Sequence, residues 1–155
     1  MSLPTWGYSV KNLDPTRTAI ASARDLRISP KAAREICGAI RGMRLSKAKV
    51  FLEEVVALKT AVPFKRYRKE MPHRKGLQGW CSGRYPVKSA KEILKVLDSV
   101  EANAGERGLD PDRLKLIHAA AQRSFKIKKY IQRAFGRSSP FFQELTHVEV
   151  AVFEI

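Results

Sequence analysis

Phe125-Lys126-Ile127-Lys128-Lys129-Tyr130-Ile131 alternates apolar with polar residues, and Val148-Glu149-Val150-Ala151-Val152-Phe153 does so again further along. Between them lies Gln132-Arg133-Ala134-Phe135-Gly136-Arg137-Ser138-Ser139-Pro140. Period-two alternation rich in β-branched residues predicts two strands. Gly136 beside Ser138, Ser139 and Pro140 supplies turn chemistry, since glycine reaches positive φ without a Cβ clash. The two arms predict one long β-hairpin over residues 113–155, with its tip at about 132–140. An arm of about 16 residues reaches roughly 50 Å at the rise of a strand. A compact domain of this size has a radius of gyration of only about 15 Å, so such an arm leaves the body that roots it. A lone two-stranded ribbon is marginal in water, so a partner has to order it. Residues 113–143 carry eight Lys or Arg and no Asp or Glu, so that partner is polyanionic.

The rest of the charge points the same way. Of a net +15 over 155 residues, the hairpin stretch supplies +8 and residues 59–91 supply +9, leaving −2 for everything else. Positive charge gathered into two stretches is the footprint of nucleic-acid binding rather than of an evenly solvated surface. An apolar content of 44% supports a real core and, at this length, one domain over residues 1–155. Cys37 and Cys81 form neither a disulfide framework nor a metal motif. No apolar run approaches the length that spans a bilayer. Met1-Ser2-Leu3-Pro4-Thr5-Trp6 lacks the layout of a signal peptide. A cytoplasmic location and no membrane partner are expected.

Outward from the hairpin, residues 1–17 read as irregular and Thr18 to Ile28 as a strand. Ser29 as N-cap and Pro30 as first helical residue open a helix with Ala33, Ile36, Cys37 and Ile40 on its apolar face, stopped by Gly42. A second helix is expected over 46–59 around Ala48, Phe51, Leu52, Val55 and Val56. A third carries Ala90, Ile93, Leu94, Leu97 and Val100. Ser89 and Glu92 match a capping box there, although Pro86 is an alternative start, and the helix fades near Gly105 or Gly108. Asp110-Pro111-Asp112 turns the chain into the hairpin.

Residues 60–88 hold no period and read as a long functional loop. Glycines, prolines and aromatics are interleaved with Lys65, Arg66, Arg68, Lys69, His73, Arg74, Lys75, Arg84 and Lys88. Arginine and aromatic side chains stack on unpaired bases while Lys and Arg contact phosphates. Trp80 and Tyr85 fit either base stacking or pinning of the loop to the core. On the hairpin the RNA-binding candidates are Arg123, Lys126, Lys128, Lys129, Arg133 and Arg137.

No enzyme is indicated. His73, His118 and His147 lack ligand-spaced partners, so no metal is expected. No Gly-rich phosphate cradle is present, so no cofactor is expected either. Gly42-Met43-Arg44-Leu45 joins two helices at helix-turn-helix spacing. The second helix, with Glu53 and Glu54 on its polar face, is poorly suited to reading bases, so DNA is not the expected partner.

Three stretches carry a family resemblance: Ser29-Pro30-Lys31-Ala32-Ala33-Arg34, Lys128-Lys129-Tyr130-Ile131-Gln132-Arg133-Ala134-Phe135-Gly136-Arg137 and Thr146-His147-Val148-Glu149-Val150. Together they resemble a universal ribosomal protein of the large subunit, the twenty-second in the bacterial series, over about residues 16–155. The resemblance implies an α/β (α+β) fold, a small three-stranded antiparallel sheet packed on three helices, with a long protruding β-hairpin. It implies binding to large-subunit ribosomal RNA, a part in assembly, and neighbouring large-subunit ribosomal proteins as partners. The hairpin would line the peptide exit tunnel, placing Gln132, Arg133, Ala134, Phe135, Gly136 and Arg137 at the tip near the nascent peptide. An N-terminal extension, the inserted loop at about 60–88 and an end at Ile155 resemble the archaeal type. The alternative is a free-standing nucleic-acid-binding protein or RNA chaperone.

Overall fold

The computed structural model describes residues 7–11 and 13–155, so part of the irregular start expected at 1–17 lies outside the described residues. Along the chain come β1 (Thr18–Leu26), α1 (Pro30–Ile40), α2 (Leu45–Val56), the short strands β2 (Val62–Pro63) and β3 (Gly83–Arg84), and α3 (Val87–Glu106). A 3-10 turn at Pro111–Arg113 leads into β4 (Leu114–Ile127), β5 (Tyr130–Gln132), β6 (Ser138–Pro140) and β7 (Gln143–Glu154). The three helices and the antiparallel sheet β1-β7-β4 make the expected α+β architecture.

The return arm β7 is the central strand, so the root of the hairpin is also the middle of the sheet. Cross-strand rows build its buried face. Ala19, Val152 and Leu116 form one row, Ala21, Val150 and Ala119 the next, and Ala23, Val148 and Ala121 a third. The small alanines on both outer strands let the helices approach closely. The inward positions on β4 switch from even (Leu114, Leu116) to odd (Ala119, Ala121), because the register shifts between Leu116 and His118. A bulge there places Ile117 outside the pairing and re-aims every later side chain.

α1 buries Ala33, Ile36, Cys37 and Ile40, α2 buries Leu45, Ala48, Leu52 and Val55, and α3 buries Ile93, Val96, Leu97 and Val100, all in one cluster with the sheet. Leu94, expected in the stripe of α3, is only partly buried, and Val96 takes that place. One helix end settles between the two starts expected, in favour of Pro86, and another differs from expectation. α3 starts at Val87 behind Pro86, with no side-chain cap, and Ser89 is buried within the first turn, so the Ser89–Glu92 capping box does not form. α2 stops at Val56 because Leu58 turns to φ +61°, and the N–H groups of Lys59 and Thr60 donate back to the Glu54 carbonyl.

The connection between α1 and α2 has a structural task. Gly42 N–H donates to Leu116 O (2.7 Å), Leu116 N–H donates to Met43 O (2.9 Å), and the Arg41 guanidinium donates to Ala119 O (2.7 Å). These bonds cover the outer edge of β4, where open backbone groups invite unwanted pairing. Gly42 sits at φ +84°, which a side chain would strain.

Candidate nucleic-acid interface

The stretch 60–88 is not the structureless loop that its composition suggests. Ala61, Val62 and Phe64 are buried and anchor its entry. Residues 81–84 then run between two neighbours. On one side β2 pairs with β3, and Phe64 N–H donates to Ser82 O (3.0 Å). On the other, Gly83 N–H donates to Pro72 O (3.1 Å) and Arg74 N–H to Cys81 O (2.8 Å). A side chain at Gly83 would meet Val62 O at 2.8 Å and Leu77 Cδ1 at 2.7 Å, so only glycine permits this crossing.

Glu35, on the buried side of α1, fixes where the loop begins. Its carboxylate accepts the N–H groups of Lys65 (3.1 Å), Arg66 (3.0 Å) and Tyr67 (3.0 Å), and the residue is 7% exposed. Three convergent N–H donors satisfy a buried anion. With their backbone held inward, the side chains of Lys65 and Arg66 are exposed. Nothing in the spacing from residue 35 to 65 announced this contact, and sequence reasoning missed it.

Trp80 and Tyr85 separate in role. The Trp80 indole donates to Phe64 O (2.9 Å), which makes it a pin for the loop. Tyr85 is half-buried and carries the Arg74 guanidinium 5.3 Å from its ring centre, and Lys31 lies 5.8 Å from the ring of Tyr67. Lys65, Arg66, Arg68, Lys69, His73, Lys75, Arg84 and Lys88 are exposed, and none pairs with a carboxylate of the described residues. Eight such groups on one pinned loop, against the single exposed acid Glu70, make a strongly basic surface.

The hairpin forms the second surface, and it is two ladders rather than one. β4 and β7 pair from Leu114 to Ile127, and β5 and β6 pair separately from Tyr130 to Gln132. Between them only Phe141 N–H to Lys129 O (2.7 Å) continues the bonding, and Pro140 has no N–H to offer. The tip is tighter than the expected 132–140. Arg133 N–H donates to Arg137 O (2.8 Å), and Phe135 (φ +59°) and Gly136 (φ +67°) make the turn. No residue between Ala119 and Leu145 is buried.

The eight cations of the hairpin stretch are not equivalent. Arg113 pairs with Asp110, while Arg123 and Lys126 share Glu144 at 3.8 and 3.5 Å. Lys128, Lys129, Arg133 and Arg137 stay exposed and unpaired with any described carboxylate. Exposed aromatics accompany them. Phe125, Tyr130, Phe141 and Phe142 all face solvent, and Phe135 at the tip is 98% exposed. Apart from Phe135, these were not singled out from the sequence, because their alternation reads equally well as one packed face of a strand.

No group of His, Cys, Asp or Glu able to hold a metal occurs among the described residues, and no helix in them is long and apolar enough to cross a membrane. His118 instead joins Ser9 and Gln122 in bonding the Glu149 carboxylate, which ties the N-terminal segment to the outer face of the sheet.

Comparison with known proteins places these surfaces in a family. Residues 21–153 match the family described as Ribosomal protein L22p/L17e. The chain is similar to the large ribosomal subunit protein uL22 of Methanopyrus kandleri, 52% identical over 96% of both chains. It is similar to those of Staphylothermus marinus (46%, 99% of both) and Archaeoglobus fulgidus (48%, 97% of both). A three-helix, three-stranded body that roots a bare basic hairpin, matched along nearly its whole length, belongs to the ribosomal protein L22p/L17e family in its archaeal form.

Proposed function

We infer that this chain is a structural, non-catalytic constituent of the large ribosomal subunit, a single domain that binds ribosomal RNA through the 60–88 loop and reaches inward with its hairpin. One observation carries the reading. Eight Lys and Arg side chains of the pinned loop and four of the outer hairpin pair with no described carboxylate, while Glu35 and Glu144 beside them are already engaged. On the loop Lys65, Arg66, Arg68, Lys69, His73, Arg74, Lys75, Arg84, Tyr85 and Lys88 contact RNA, while Trp80 acts by holding the loop. On the hairpin Lys128, Lys129, Arg133 and Arg137 contact phosphates directly. Arg123 and Lys126 do so by exchanging Glu144 for phosphate, a small loss, since exposed ion pairs contribute about 0–1 kcal/mol.

Ordering of the hairpin follows from the same contacts. Each phosphate neutralised releases counterions, so affinity falls steeply with salt. RNA packed along the arm supplies the surroundings that two ladders of exposed residues lack. The tip from Gln132 to Arg137 then forms part of the exit-tunnel wall, beside the nascent peptide, and the outer faces of the helices meet neighbouring ribosomal proteins. DNA and membranes are not partners. Lys49 of α2 is committed to Asp98 (2.6 Å) and Glu101 (2.5 Å) of α3, which leaves that helix ill equipped to read a groove.

Chemical footprinting on large-subunit ribosomal RNA tests this, with the full chain and with 124–142 deleted. Protection at several separate regions, one of them lost on deletion, supports the reading. Weak and uniform protection, equal for both chains, would overturn it.

A further inference from the structure

We propose that the cavity between the starts of α1 and α3 is a receptor for one unpaired RNA nucleotide, its base lodged among the aromatic side chains and its phosphate held at the rim. The proposal rests on the RNA-binding reading above and gives the loop a second task beyond neutralising phosphates. The cavity measures about 480 Å³, within the range of small-ligand pockets. Its walls are Phe64, Tyr67, Met71 and Tyr85, and its rim carries Lys31, Arg84 and Lys88. No Asp or Glu lines it. Apolar and aromatic walls under a wholly cationic rim fit a flat, anion-bearing ligand, and every base has a face to stack.

Two further observations favour a nucleotide over an apolar side chain. Ser89 lines the cavity and is 4% exposed, and its hydroxyl makes no hydrogen bond to another described residue. Among the described residues no buried side-chain polar atom is left unsatisfied, so this unbonded hydroxyl is not fully enclosed, and the cavity is the space that Ser89 lines. An apolar occupant would strand it, whereas the edge of a base offers it a partner. Both helices also begin at the cavity with no side-chain cap and no acidic residue in the first turn, an arrangement that adds positive potential where the phosphate would lie. The carboxylate of Glu35 and the crossing at Gly83 hold Tyr67 and Arg84 in place before RNA arrives.

The test uses the full chain and an archaeal large-subunit ribosomal RNA transcript carrying photoreactive thionucleotides. Crosslinked peptides are mapped, and affinity is measured against salt for the native chain and for Tyr67→Leu, Tyr85→Leu, Tyr85→Phe and Lys88→Ala. The expected result is a crosslink within 67–71 or 84–89. Each Leu variant should bind about tenfold more weakly with an unchanged salt slope, by loss of one stacked base, while Tyr85→Phe, which keeps the ring, should lose less than Tyr85→Leu. Lys88→Ala should lower the slope by about one contact. Specific binding with crosslinks confined to the hairpin, and Leu variants that are folded and bind as the native chain does, would overturn the receptor and leave the RNA reading standing. Binding no better than to an unrelated polyanion would overturn both. Crosslink mapping needs no variant, so the proposal stays open to refutation if a substitution unfolds the loop.

Discussion

Replacing Glu35 should loosen the RNA-binding loop while leaving the sheet intact. One carboxylate oxygen accepts the N–H groups of Arg66 and Tyr67, and the other accepts that of Lys65. In Glu35→Gln the amide oxygen can keep the first pair, but the amide nitrogen then faces the Lys65 N–H, donor against donor. One charge-assisted bond is lost and the other two become neutral, which costs about 1–2 kcal/mol. Glu35→Ala orphans all three donors and costs about 3–4 kcal/mol, the lower end of their summed values because the opened loop admits water. At 1.4 kcal/mol per factor of ten, these are about tenfold and several-hundred-fold gains in the population of the opened loop. Native-state hydrogen exchange reads this directly. The amides of residues 65, 66 and 67 should exchange faster by those factors, those of Val148, Val150 and Val152 should not, and affinity for ribosomal RNA should fall as preorganisation is lost. Unchanged exchange at 65–67 in Glu35→Ala would refute the claim that this carboxylate organises the loop.

Gly83→Ala forces a methyl group against Val62 O and should cost about 1–3 kcal/mol of loop stability, visible as a lower thermal midpoint and faster proteolysis within 62–84. Burial pushes the Cys37 thiol up to about 12, so at pH 8 an alkylating reagent should modify exposed Cys81 and reach Cys37 only after denaturation. The folded chain holds the Cys37 proton that the unfolded chain releases from about pH 9. Its contribution is therefore complete below pH 9 and is lost at about 1.4 kcal/mol per pH unit up to about 12, and a Cys37→Ala chain should show a flatter decline in an alkaline denaturation series. Without RNA, the 124–142 segment should be cleaved by trypsin well before the helices, and resistance there would contradict an RNA-ordered hairpin. In a chain lacking 124–142, the amides at the root of β7 should keep their protection, since Val148, Val150 and Val152 are buried by β1 and the helices.

The features that could be read from sequence are those with a local period. The alternation at 148–153 predicted a strand, and Ser29-Pro30 marked the start of α1 to the residue. The features that could not be read depend on contacts between distant segments. The bulge at Ile117 leaves no mark in a run where Ala119, Ala120 and Ala121 fit either face. The capping box at Ser89 and Glu92 failed because Pro86 lets the helix begin three residues earlier, which places Ser89 inside the first turn. Composition placed the charges of the 60–88 loop correctly but said nothing of its order, which comes from Glu35, Trp80 and a crossing that only Gly83 permits.

That contrast bears on how the two basic surfaces work. In both, the cations were legible because charge is a property of residues taken singly. What differs is where each surface gets its rigidity. The loop borrows it from the core, through one buried carboxylate, one indole and three buried apolar residues at its entry, so it can present a fixed pattern of donors before RNA arrives. The hairpin beyond Ala121 has no such anchor. Its ladder breaks at Lys128-Lys129, its aromatics are bare, and among the described residues only Glu144 forms ion pairs with its cations. A prearranged surface loses little entropy on binding and suits the first, position-fixing contact. A ribbon that gains its order from RNA suits a later one, because its ordering cost is met only once the arm is correctly enclosed. The expected sequence is therefore loop first and hairpin second. Time-resolved footprinting should show protection by the loop preceding protection by the arm, and the reverse order would mean that the hairpin, not the folded body, finds the RNA.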